Sequence, residues 1–132
     1  MNTTMKCYAE YGKMENDIAK LRTVIEIMTG RATSVNSKLT FLQTQINDLI
    51  QANSSVFLRI VTDEMFDTKV FIKECVEAGL ISKRGDYYYL KSDGSQLCEY
   101  NEEPTLSIAC KYINSPKHQD IKFGLEEKLK MK

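Results

Sequence analysis

Residues 14–56, MENDIAKLRTVIEIMTGRATSVNSKLTFLQTQINDLIQANSSV, place an apolar residue at alternating steps of four and three: Met14, Ile18, Leu21, Ile25, Met28, Ala32, Val35, Leu39, Leu42, Ile46 and Leu49, running on to Asn53 and Val56. With Ile18 at heptad position a and Leu21 at d, about six heptads follow without a skip, which is the signature of a coiled coil. A lone surface helix turning at about 3.6 residues has no reason to keep a strict seven-residue repeat. A stripe of this kind must meet either an identical helix of another chain or the other half of the same stretch.

The second arrangement would turn within Met28–Ser34, where one glycine and three β-hydroxyl residues stand together. Register favours the first. Gly30 falls at position f, on the solvent face, and a turn of arbitrary length is not expected to preserve the phase from Met28 through Ala32 to Val35. The reading is therefore one continuous helix, about 64 Å long at roughly 1.5 Å per residue, that self-associates through Ile18, Leu21, Ile25, Met28, Val35, Leu39, Leu42, Ile46 and Leu49. Isoleucine at a with leucine at d suits a parallel pair. Val24, Ile50, Ile27 and Phe41 widen the apolar face beyond a simple seam, which suits a higher oligomer or a second domain packed on the coil.

The rest of the chain reads as a leader over residues 1–13 and a small head over residues 57–132. The fold class is mainly α with a small β-hairpin. The 18 basic and 18 acidic side chains cancel, so electrostatics alone makes no case for non-specific attraction to nucleic acid or an anionic membrane. No apolar run is long enough to span a bilayer and the N-terminus has no apolar signal core, which leads to the expectation of a cytoplasmic protein with no membrane partner. Cys7, Cys75, Cys98 and Cys110 are far apart, and His118 is the only histidine. Neither a zinc site nor a dithiol pair has its spacing, and no phosphate-cradling glycine run or nucleophile–base pair is present. The expectation is a non-enzymatic protein without cofactor or metal. His118 is expected at the surface.

Past Val56 the pattern changes. Val56–Val61 is a dense apolar run, Thr62–Phe66 a capped turn, and Val70, Phe71, Cys75, Val76 and Leu80 recur at helical spacing until Ala78-Gly79 ends the helix. Gly85-Asp86 and Asp93-Gly94 are turn signals on either side of Tyr87-Tyr88-Tyr89-Leu90, a strand, with a second candidate strand through Gln96–Tyr100. Helix, turn, helix, hairpin is the order of a winged helix, and residues 77–90 resemble the junction at which that superfamily's second helix gives way to its wing. The resemblance covers residues 56–100. It implies a winged-helix-like head in which the helix from Thr68 to Ala78 is the one laid in a major groove, with Lys69, Lys73, Lys83 and Arg84 meeting phosphates of double-stranded DNA.

Local charge opposes that use, since residues 57–100 carry six basic and eight acidic side chains. In a strand Tyr87 and Tyr89 share one face, and an outward pair of tyrosines is how a protein-binding surface commonly begins. The leading functional reading is thus an oligomeric protein-interaction or regulatory factor whose heads bind a partner protein through Tyr87 and Tyr89. The alternative is a DNA-binding regulator. Beyond Pro104, residues 105–113 fit a helix or a strand, and Asp120–Lys130 a closing helix.

Overall fold

A computed structural model describes residues 2–132. The chain is mainly helical with one two-stranded antiparallel sheet, and it divides into two compact units at Phe66/Asp67. Among the described residues no helix is long and apolar enough to cross a membrane.

The first unit holds four helices: α1 (Thr3–Gly12), α2 (Ile18–Thr29), α3 (Leu39–Ala52) and α4 (Ser54–Val61). The side chain of Asn2 caps α1 by accepting from the Met5 N–H at 2.8 Å, and Asp17 caps α2 through the Lys20 N–H at 3.1 Å. The continuous helix expected over residues 14–56 does not form. Gly30 closes α2 in the left-handed region at φ 70°, its N–H bonded to the Glu26 carbonyl at 2.9 Å, and the chain leaves the helix for nine residues before α3 begins. Asn53, at φ −155° and ψ 71°, then breaks α3 from α4.

Part of the stripe is buried inside the unit. α3 packs on α2, and α4 packs on α1, α2 and α3. Five consecutive residues of α2, Leu21 to Ile25, are buried, so the middle of this helix is covered all round, where a two-stranded seam would cover one side only. Leu42, Ile46 and Ile50 are buried on α3, while Ile18, Ile27, Val35 and Phe41 remain exposed. The residues expected to make the oligomer seam are in this way split between an internal core and separate surface positions.

The returning loop is tied down by a buried polar network. Arg22, 5% exposed, donates from Nε to the Thr33 hydroxyl at 2.8 Å and from a terminal nitrogen to the Thr33 carbonyl at 3.0 Å. The Glu26 carboxylate accepts from the Thr33 N–H at 2.8 Å and its hydroxyl at 2.5 Å, and lies 3.7 Å from Arg22. A buried guanidinium is tolerated because each of these bonds is charge-assisted. α1 is held to α3 through Tyr8, whose hydroxyl donates to Asn47 and accepts from Gln51.

The second unit takes the order α5 (Phe66–Glu77), β1 (Ile81–Arg84), β2 (Tyr87–Leu90), α6 (Leu106–Asn114), a 3-10 turn (Pro116–His118) and α7 (Gln119–Lys130). Residues 105–113 thus resolve as helix, and Pro104 lies just before it. The helix pair of the expected helix-turn-helix, α4 and α5, falls on the two sides of the unit boundary. Gly79, at φ 77°, ends α5, and the hairpin turns on Gly85-Asp86 with positive φ at Gly85 alone, the requirement of a type II′ turn. Asn114 donates to the Thr68 hydroxyl at 2.8 Å, fastening the end of α6 to the start of α5.

His118 is not free at the surface, contrary to the expectation from sequence. Its ring stacks on Tyr112 at 3.8 Å between centroids and its Nε2 donates to Glu99 at 2.5 Å. The hydrogen bond from His118, then its charge and that of Lys117, hold the Glu99 carboxyl below its ordinary value of 4.5.

Replacing Gly30 by Ala forces a Cβ into the left-handed region and should destabilise the first unit by about 1 kcal/mol, whereas in an unbroken helix the same change would stabilise by about 1 kcal/mol. The sign, read from urea unfolding, separates the two architectures. In the second unit a depressed folded pKa means that the Glu99 contribution is present above the unfolded value and lost as pH falls through the lower folded one. Wild type should therefore exceed Glu99→Gln in thermal stability at about pH 5.5, with the difference closing toward about pH 3.

Candidate interaction surface

The hairpin pairs Ile81 with Leu90, Ser82 with Tyr89, Lys83 with Tyr88 and Arg84 with Tyr87. Alternation then sets Ser82, Arg84, Tyr87 and Tyr89 on one face and Ile81, Lys83, Tyr88 and Leu90 on the other. The second face is the inner one, since Ile81 and Tyr88 are buried. Lys83 escapes it by standing beside the turn, where it is exposed. Tyr87 and Tyr89 are both half-buried on the outer face, and Arg84 beside them is exposed.

These three side chains form one patch. The Arg84 guanidinium carbon lies 4.3 Å from the centroid of the Tyr89 ring, a cation–π contact worth about 0.5–1 kcal/mol at an exposed site. Tyr87, directly opposite Arg84, hydrogen-bonds the Glu103 carboxylate. This bond is the main reason that its phenol is held above the ordinary value of 10.0.

β2 is not a free edge. Its backbone is engaged on the side away from β1 by Leu97 N–H to the Tyr88 carbonyl at 3.1 Å, Tyr88 N–H to the Pro104 carbonyl at 2.8 Å and Leu90 N–H to the Ser95 carbonyl at 2.9 Å, with Gln96 bridged to Tyr89. The two tyrosines therefore stand on a strand hydrogen-bonded along both sides. Such a strand presents rigid aromatic area with little conformational entropy left to lose on binding. Gln96, Glu103 and the Pro104 carbonyl complete the support, and nothing in their sequence spacing marks them as neighbours of β2.

The four basic residues assigned to phosphate contact come from two elements, α5 and the hairpin. Lys83 and Arg84 are adjacent in sequence yet point to opposite faces of the hairpin. Lys69 and Lys73 stand a turn apart on α5, and Lys73 is paired with Glu77 at 2.9 Å. Residues 67–132 hold eleven basic and eleven acidic side chains, so this unit has no net positive field to steer a duplex.

Two of the thiols are held toward the protonated form. Burial, with Glu74 and Glu126 nearby, pushes Cys75 up to about 12, and burial followed by Glu102 and Glu99 raises Cys98. Among the described residues no three His, Cys, Asp or Glu side chains are grouped so as to hold a metal ion. The chain matches no known family model, no curated protein and no solved structure.

Proposed function

We propose that the protein is a non-enzymatic interaction module whose second unit binds a partner protein through the outer face of the hairpin. The observation that carries this reading is the Arg84–Tyr87–Tyr89 patch, two tyrosines on a strand braced along both edges with one arginine beside them on the same face of the hairpin. Tyrosine and arginine are the side chains that most often dominate binding energy at protein interfaces, and a pre-organised patch loses least on association. The sequence carries no catalytic constellation that competes with this use.

Double-stranded DNA is the second reading. It is favoured by the exposure of Lys83 and Arg84 at the hairpin turn, the position of a wing in the superfamily that residues 56–100 resemble. It is weakened by the pairing of Lys73 with Glu77 and by the equal charges of the unit.

Affinity capture with the 132-residue chain as bait, quantified against the Tyr87→Ala, Tyr89→Ala double variant, tests the first reading. A partner retained by wild type should bind the double variant more weakly by a factor of about thirty, the equivalent of about 2 kcal/mol at a hot spot. If capture is unchanged and random duplexes bind in a salt-sensitive manner that Lys83→Ala and Arg84→Ala weaken, the DNA reading replaces it.

A further inference from the structure

At the base of the hairpin, away from its turn, the second unit has an open cleft of about 430 Å³. One wall is a single face of α7, running from Asp120 past Ile121, Gly124 and Leu125 to Lys128. The other is Gly79 and Leu80, at the entry to β1, with Leu90, Lys91 and Ser92 at the exit from β2. The floor is apolar: Leu125 is buried, while Leu80, Leu90 and Ile121 are only half-buried and face the opening.

Two further observations bear on what the cleft takes. Lys91 and Lys128 stand exposed on its opposite walls, and neither ammonium has a hydrogen bond or an ion pair among the described residues. Gly124 lies in the interior of α7, where glycine is a poor helix former. A Cβ built on it meets nothing within 4 Å, so no packing inside the chain requires the missing side chain. What its absence does is deepen the cleft.

We propose that this cleft docks a short acidic segment of another protein. Two apolar side chains about a helical turn apart seat on Leu80, Leu90, Ile121 and Leu125, carboxylates on either side meet Lys91 and Lys128, and the segment's backbone passes over Gly124. Asp120, at the far end from Lys128, sets the direction by repelling a carboxylate placed there. An apolar floor between two cations suits neither a free phosphate nor a nucleic-acid backbone, because neither covers the leucines. The tyrosine face contributes no residue to this site, so the inference stands or falls apart from the proposed function.

The test uses the full 132-residue chain and a fluorescein-labelled synthetic peptide with two leucines four positions apart, each flanked by glutamates. Its counterpart carries lysines in place of the glutamates. Saturable anisotropy is expected for the acidic peptide, with amide shift changes confined to residues 79–80, 90–92 and 120–128. Gly124→Leu fills the cleft while replacing a poor helix former, and should weaken binding about tenfold or more with the thermal melt kept or raised. Lys91→Glu with Lys128→Glu should weaken the acidic peptide by a similar factor and strengthen the lysine peptide, and that rescue excludes simple misfolding. The Tyr87→Ala, Tyr89→Ala variant should bind the peptide as wild type does. The inference is overturned by any of four results: no saturable binding up to about 1 mM peptide, equal affinity for the two peptides, unchanged affinity in Gly124→Leu, or loss of binding in the tyrosine variant.

Discussion

Leu21 and Ile25 on α2 and Leu42 and Ile46 on α3 are withdrawn from water between helices of the same unit, and that burial depends on the reversal that begins at Gly30. Each such side chain contributes about 1.5–3 kcal/mol when fully buried, so the four together outweigh any local preference in the loop. The reversal is held by specific chemistry. Arg22 and Glu26 project from one face of α2 a turn apart, and both close on Thr33, which keeps the loop against the helix it has just left. The rest of the first unit follows, because α4 can pack on both α2 and α3 only once those helices lie side by side.

The second unit solves a different problem, how to hold a two-stranded hairpin that would be marginal alone. Three backbone hydrogen bonds and a bridge on the far side of β2 draw residues 95–97 and 104 alongside it, and Tyr88 and Ile81 are buried beneath. The segment between those two contacts is fastened by Glu99 to His118, whose ring rests on Tyr112. This bracing leaves Tyr87 and Tyr89 on the outer face of a strand bonded along both edges, with Arg84 across from Tyr87 on β1. The strand under the two tyrosines is held by backbone bonds to residues that do not themselves belong to the patch.

The second unit was the more legible in advance. The helix ending at Gly79, the turn at Gly85-Asp86, the strand of three tyrosines and the closing helix from residue 120 all lie where local signals put them, because glycine at positive φ and strict alternation are short-range constraints. The sharing of one face by Tyr87 and Tyr89 follows from the period of a strand. Their support did not show itself, since Glu103 and Gln96 reach β2 through loops whose path no periodicity describes. The separation of Lys83 from Arg84 onto opposite faces was implicit in the same alternation, and depended only on the hairpin register.

In the first unit the apolar stripe marks the candidates for burial, and the folded chain settles which of them are covered and by what: Leu21, Ile25, Leu42 and Ile46 are, Ile18 and Val35 are not. A stripe at steps of four and three is the same whether the covering helix comes from a second chain or from residues 39–52 of the same one. Its phase survived the loop, so register carried no warning. The choice turned on Gly30 entering the left-handed region and on Arg22 finding Glu26 and Thr33 together, contacts that exist only after the chain has folded back. An intramolecular partner also has the advantage of proximity, since closing a nine-residue loop costs a few kcal/mol at most and no encounter with a second molecule is needed.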